Sequence, residues 1–488
     1  MSKKLLFILF LFVAPFAASA QYTTPGTGVN WSLNDLVANA PSAITFADGI
    51  YTINQDITIA ATDALVIEED AAIQIASDVL ITVAGSFTAD SDNITITAVN
   101  NNEPYEGFRF EDTSSGYFHN TTITYGGGIR VLTPNFEMDA CTVSYHVSGA
   151  ATGSAVSFST GSPVVKNSTF LFNDLPAFSS GANQEVSALI LNNYLEGNGQ
   201  SNQNRPQINM GPSGNDTLRI VGNTIKGDPA LTMVGGIAAS SLLGTINKVI
   251  IDNNTVFDNR YGITVVGGAS SGYIRGNIIE NNNTQNVPAQ GGSGISLSAS
   301  GAGMNIIASD NQIRGNLWGI TVISAASINL GNTDPANYNP GGNVFSNNGN
   351  GGQIYALYNN TPYTIYAMNN CWIEGEEPTG VEVENVISHS ADNASLGEVI
   401  YTPFGCNLSS PEYTVRNNEI YPNPTNGNFT VNSIGNGNAK IYNISGQMVY
   451  EHELTEGENT FRLSLPSGIY IVKTESGGKS LTDKLIIK

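Results

Sequence analysis

Ile250-Ile251-Asp252-Asn253-Asn254-Thr255-Val256-Phe257-Asp258-Asn259 returns as Tyr273-Ile274-Arg275-Gly276-Asn277-Ile278-Ile279-Glu280-Asn281-Asn282. It returns again as Ile307-Ala308-Ser309-Asp310-Asn311-Gln312-Ile313-Arg314-Gly315-Asn316. Two positions five residues apart hold Asn each time, with apolar residues before and between them. Fainter copies extend upstream. They give a first column of Cys141, Ser168, Asn193, Asn223, Asn254, Asn277 and Asn311, and a second of His146, Asn173, Asn198, Asp228, Asn259, Asn282 and Asn316. Steps between copies run from 23 to 34 residues. A unit returning at this period is the mark of a solenoid, in which each repeat buries its apolar face only against its neighbours.

Stacking gives the columns a physical meaning. Each coil lays its strands over those of the coil before, about 4.8 Å away. Apolar positions then pile up inside, and Phe170, Leu195, Ile225, Val256, Ile279 and Ile313 form one such pile. Asn suits a turn because it tolerates left-handed backbone, and stacked amides can bond one another. Asn193, Asn223, Asn254, Asn277 and Asn311, with Asn198, Asn259, Asn282 and Asn316, therefore read as structural ladders. Gly262, Gly294 and Gly319 each open a further strand after the second turn. The longer steps imply loops at 199–216, 228–247 and 283–294, where function is expected. Earlier in the chain, Tyr51–Ile59, Ala64–Ile67, Ala72–Ile75, Val79–Val83 and Ile94–Thr97 alternate as strands.

This unit resembles the repeat of the pectate-lyase-like, right-handed parallel β-helix superfamily, over residues 50–406. The resemblance implies an all-β, single-stranded parallel β-helix. It names no reaction, because the superfamily holds lyases, hydrolases, epimerases, tailspikes and adhesins.

Composition agrees with an exported β-rich chain. Only 12% of the 488 residues are charged, Gly numbers 52 and the net charge is −22; an average soluble protein is about 25% charged. Such a surface repels nucleic acid and anionic lipid, and it weighs against a polyanionic glycan as ligand unless bound cations intervene. Lys3 and Lys4, the apolar run Leu5–Val13 and Ala18-Ser19-Ala20 form a signal peptide over 1–20, cut between Ala20 and Gln21. No later segment is long and apolar enough for a transmembrane helix.

Residues 21–49 read as an N-terminal cap, with Ser32 and Asp35 opening a short helix ended by Pro41. Residues 407–417, polar and carrying Pro411, read as a linker. From 418 to 488 about seven short strands suggest a small β-sandwich. The segment contains Tyr421-Pro422-Asn423-Pro424, Gly446, Gly468, Tyr470 and the terminal Lys488. It closely resembles the type A C-terminal sorting domain of type IX secretion. That resemblance implies the type IX machinery as partner, and a secreted or outer-surface location in a Gram-negative bacterium, reached through the periplasm.

Chemistry is harder to find. Cys371 and Cys406 lie close enough in the chain to pair in an oxidising compartment, or all three cysteines are buried hydrophobes. Three positions beyond each first-column residue, Glu196 falls over Lys226 and Glu280 over Arg314, an arrangement of cross-rung ion pairs. Asp252 and Asp258 flank a turn with Arg275 near Asp252; Ca²⁺ is the one ion they would suit, and Asn-rich turns need none. Trp372, followed by Glu374, Glu376 and Glu377, suits the terminal rung. No catalytic, cofactor or metal set stands out. The sequence favours a binding, adhesion or structural module, with extracellular carbohydrate as the natural ligand. The competing reading is a polysaccharide lyase, hydrolase or epimerase working in a lateral groove.

Overall fold

The computed structural model describes residues 21–406 and, toward the C-terminus, residues 420–421, 425–433, 435–443, 447–455, 457–476 and 479–487. The chain forms two compact units that divide between Cys406 and Asn407. The first is a parallel β-helix. One coil shows the plan: Leu189–Leu191 on a first face, Tyr194–Glu196 on a second, Ile208–Met210 on a third. Each strand pairs in parallel with its counterpart one coil on, Leu189 with Arg219, Tyr194 with Thr224 and Ile208 with Ile237. Fourteen strands make up the sheet of the third face.

Alternation along each short strand puts every second side chain inside. Phe170, Leu195, Ile225, Val256, Ile279 and Ile313 are fully buried in one file, extended at its ends by Val143 and Phe345. Each such burial contributes about 1.5–3 kcal/mol. Cys141 is buried too, and its thiol donates toward the carbonyls of Phe118 and Asp139 at 3.4 and 3.3 Å.

The corner between the first and second faces is two residues wide, and those two residues divide the work. The first takes left-handed backbone: Asn192, Gly222, Asn253, Gly276 and Asp310 have φ between 55° and 68°. The second turns inward as a ladder rung. The Asn254 carboxamide oxygen accepts from the backbone N–H and from Nδ2 of Asn223, both at 2.9 Å. Asn254 Nδ2 in turn donates to Asn277 Oδ1 at 3.0 Å and to the Ile220 carbonyl at 2.9 Å. The same pattern links Ser168, Asn193, Asn223, Asn254, Asn277 and Asn311, and runs on through Asn343 to Asn370. Left-handed geometry thus belongs to the residue before each ladder Asn, not to the ladder Asn itself.

The second column departs from its sequence pattern at one rung. Asn198 does not meet Asp228, although their strands pair in register. Gln207, fully buried, reaches into that place instead. Its Oε1 accepts from Asn198 Nδ2 at 2.9 Å and its Nε2 donates to Asn259 Oδ1 at 3.0 Å. A neutral amide can accept from one neighbour and donate to the other, which a carboxylate cannot. Asp228 stays part-exposed and accepts from the Ala230 N–H. Beyond it the ladder continues through Asn259, Asn282, Asn316 and Asn348.

In an early coil the corner lies within one strand: Ser115–Thr124 turns at Asn120, which takes left-handed backbone at φ 47°, where its pairing with Ser86–Ala98 shifts register. The stretch 51–59 is two strands rather than one. Ile50–Ile53 hairpins onto Ile44–Ala47, and Ile57–Ile59 is a separate strand of the third face. Tyr22–Thr23 and Asn30–Trp31 already pair in parallel with the first full coil. A helix, Leu33–Asn39, opens with reciprocal bonds between Ser32 and Asp35 and buries Leu33 and Leu36 over the coil end. Asp63 ties this segment down, accepting from the N–H groups of Gly26, Gly28 and Val29. At the other end Trp372 is buried and stacks on Phe345 at 4.9 Å, and Cys371 and Cys406 form a disulfide.

The C-terminal unit is a β-sandwich of a three-stranded and a four-stranded antiparallel sheet. Phe429, Val431, Ile441, Phe461, Val472 and Leu485 fill its core. Tyr421 lies in its first strand, Ile420–Tyr421, while Gly468 and Tyr470 begin the strand Gly468–Ser476. Ala20, Pro422, Asn423, Pro424, Gly446, Lys488 and the 407–417 linker lie outside the described residues.

Candidate binding groove

The second face carries the charged residues singled out by spacing, and they satisfy one another. Lys226 Nζ lies 2.7 Å from Glu196, and Arg314 lies 2.9 Å from Glu280 and 2.6 Å from both oxygens of Glu374. The Lys226 bond, helped by the Tyr194 hydroxyl, holds Glu196 below the usual carboxylate range, and Arg314 does the same for Glu374. On the first face Arg275 pairs with Asp252 at 2.6 Å. Asp252 and Asp258 flank the strand Thr255–Phe257, not a turn, so each sits at a different corner. Burial raises the Asp258 pKa. Among the described residues no group of three or more His, Cys, Asp or Glu is placed to hold a metal ion.

The third face differs. Its strands run inside two of the segments read from sequence as loops, Ile208–Met210 in 199–216 and Ile237–Ser240 in 228–247; Ser293–Ala299 begins at the end of 283–294. Their short apolar–small–apolar pattern is masked by the loops that flank them. On this face Arg130, Ser157, Ser179 and Asn209 stand in register on four successive coils. They floor a groove of about 410 Å³. Thr152, Gly153 and Arg205 wall one side, from the connections between second and third faces. Gly181 and Gln184 wall the other, where the chain returns to the first face.

The donors of the groove are its guanidinium and amide groups. Ser154 donates to the Val156 carbonyl at 2.7 Å and so accepts from Ser157 and Ser179 at 3.0 and 2.7 Å, which fixes these two floor hydroxyls as acceptors toward a ligand. Gln184 accepts from the Gly181 N–H at 2.8 Å, which leaves its own NH₂ group for a ligand. Arg130 and Arg205 have no ion pair or side-chain hydrogen bond among the described residues, whereas Arg109, one coil before Arg130, is taken by Glu111 at 2.7 Å. No carboxylate lines the groove. Each free guanidinium, beside hydroxyls or amides, matches a planar anion such as a carboxylate. Spacing could not single out Arg130 and Arg205, because they come from different parts of their coils and share no offset from the Asn columns.

Residues 419–488 match the family model of the secretion system C-terminal sorting domain. No curated protein matches the chain. Among solved structures, two mutants of the periplasmic alginate epimerase AlgG are similar. One is 14% identical, covering 76% of this chain and 83% of that one at a TM-score of 0.39. The other is 12% identical, covering 77% and 83% at a TM-score of 0.43. The sorting domain implies export to the surface or medium by the type IX secretion machinery.

Proposed function

We propose that this chain is an exported β-helix module that binds an acidic polysaccharide along its third face. The observation that carries the reading is the pair of unpartnered guanidiniums, Arg130 and Arg205, in a hydroxyl-floored groove without a carboxylate. In a chain of net charge −22, such a local concentration of donors favours anions where the rest of the surface repels them. A lyase, hydrolase or epimerase acting there is the competing reading. Hydrolysis by the usual route needs two facing carboxylates, and the groove lining supplies none.

A glycan array followed by a depolymerisation screen separates the two. Retention of uronic-acid polymers without new chain ends supports binding; release of short or unsaturated products would replace it with catalysis. The route is read as Gram-negative, through the periplasm and then the outer membrane. Removing 418–488 is expected to strand the protein in the periplasm, and normal surface delivery of that truncation would refute the route.

A further inference from the structure

Further along the third face, Trp318, Tyr355 and Tyr358 cluster, with ring centroids 4.6 Å apart for Trp318–Tyr355 and 5.2 Å for Trp318–Tyr358. All three rings are part-exposed. Trp318 is fixed in orientation by its indole N–H, which donates to the Pro288 carbonyl at 3.0 Å. Neither tyrosine hydroxyl has a side-chain or backbone partner among the described residues. The cluster stands apart from the buried aromatics of this unit. Phe345 and Trp372 stack inside the coil, and the Phe87–Phe136 group fills the core of the early coils. Three part-exposed rings held together on one outer face need a reason other than core packing.

The side chains in the file between groove and cluster are small. From Asn209 it runs through Ala238, Thr264, Ser296 and Thr321 to Tyr358, one residue per coil. Five steps of about 4.8 Å put Tyr358 about 24 Å from the groove floor. No side chain larger than threonine stands in that file between them.

We infer that Trp318, Tyr355 and Tyr358 form a second subsite on the third face, one that stacks on the C–H face of a pyranose ring. The inference rests on the reading of this face as glycan-binding and adds a ligand chemistry that the groove lacks. An indole and two phenols present electron-rich faces to the slightly positive C–H groups of a sugar, and their free hydroxyls can bond its rim. Such a subsite does not discriminate by charge. It would accept neutral and acidic sugars alike, leaving selection of the acid to Arg130 and Arg205. A chain long enough to reach both would gain from joint engagement.

The experiment is a titration of the chain from Gln21 to Lys488 with a neutral β-linked glucose hexasaccharide and, separately, with an oligouronate of equal length. Affinity is read by calorimetry and tryptophan emission is followed in parallel. Trp31 and Trp372 are buried, so Trp318 alone of the three tryptophans can report contact. Both oligomers are expected to change the emission. Trp318→Ala should remove that change and weaken both ligands by about tenfold in Kd, equivalent to about 1.4 kcal/mol, whereas Trp318→Phe, which keeps a ring, should hold most of the affinity. Arg130→Ala with Arg205→Ala should weaken the oligouronate only. Unaltered affinity in a folded Trp318→Ala variant, or no emission change with either oligomer, would overturn the subsite. An emission change that persists while the arginine substitutions leave oligouronate affinity untouched would sink the arginine reading and leave the aromatic subsite standing.

Discussion

Replacing Asn254 by Ala removes one rung from the middle of the first ladder. Its Oδ1 is the acceptor for the Asn223 backbone N–H, and its Nδ2 serves the Ile220 and Asp252 carbonyls and Asn277 Oδ1. The site is buried, so water cannot take over these bonds. The Asn223 N–H and the Ile220 carbonyl are left without this side chain, at about 1–3 kcal/mol each, so the expected loss is about 2–6 kcal/mol. Asn254→Asp sharpens the test. A carboxylate keeps the acceptor for Asn223 but loses the donor, and sets negative charge against the Ile220 carbonyl and Asn277 Oδ1. Burial then raises the folded pKa of the new acid above its unfolded value of about 3.9. The folded state binds the extra proton, so stability should fall as pH rises from about 3.9 through the folded pKa and level off above it. Guanidinium titrations of wild type, Asn254→Ala and Asn254→Asp from pH 3 to pH 8, followed by circular dichroism, measure this. A loss under about 1 kcal/mol for Asn254→Ala, or a pH profile for Asn254→Asp parallel to wild type, would refute the ladder as a stabilising device.

Other expectations follow from single contacts. Gly276 has φ +63°, and a Cβ there would clash with Asn253 Oδ1; Gly276→Ala should cost about 1–2 kcal/mol from backbone strain plus the clash, and melts of Gly276→Ala in the Asn253→Gly background, compared with Asn253→Gly alone, should show the strain without the clash. Burial would raise the Asp63 pKa, but bonds from Thr24, Gly26, Val29 and Gly28 outweigh it and hold the carboxyl well below its usual range. Its anchoring of residues 22–31 should be complete above about pH 3.9 and lost as pH falls through the folded pKa, seen as amide exchange of that segment in wild type and absent as a pH step in Asp63→Asn. Reducing the Cys371–Cys406 bridge, which spans 35 residues, should lower stability by about 4 kcal/mol, measured as a shift in melting midpoint with and without reductant.

The repeat was legible because it is carried by local pattern. Apolar residues at fixed offsets and amides five apart can only stack one way, and the inward file from Phe170 to Ile313 follows directly from it. What pattern could not reveal depends on side chains arriving from elsewhere. Gln207 displaces Asp228 from the ladder because it reaches in from a connection, nine residues beyond its partner Asn198. The third face was obscured for a related reason: its three-residue strands are flanked by insertions of unequal length, so Ser157, Ser179 and Asn209 share no constant spacing. The ion pairs Glu196–Lys226 and Glu280–Arg314 were visible in sequence for the opposite reason, since the second face follows the first after a two-residue corner. The groove arginines became a pair only once the coils were stacked.

We propose that Arg130 and Arg205 make the third face an anion-selective binding surface. The most direct test is the affinity of the chain for an acidic polysaccharide, compared with the Arg130→Ala/Arg205→Ala variant at low and high salt. Two charge-assisted contacts at about 1.5–3 kcal/mol each predict a loss of at least about 100-fold at low salt, with much of the salt dependence gone. Equal affinity and an equal salt slope in the two proteins would contradict it.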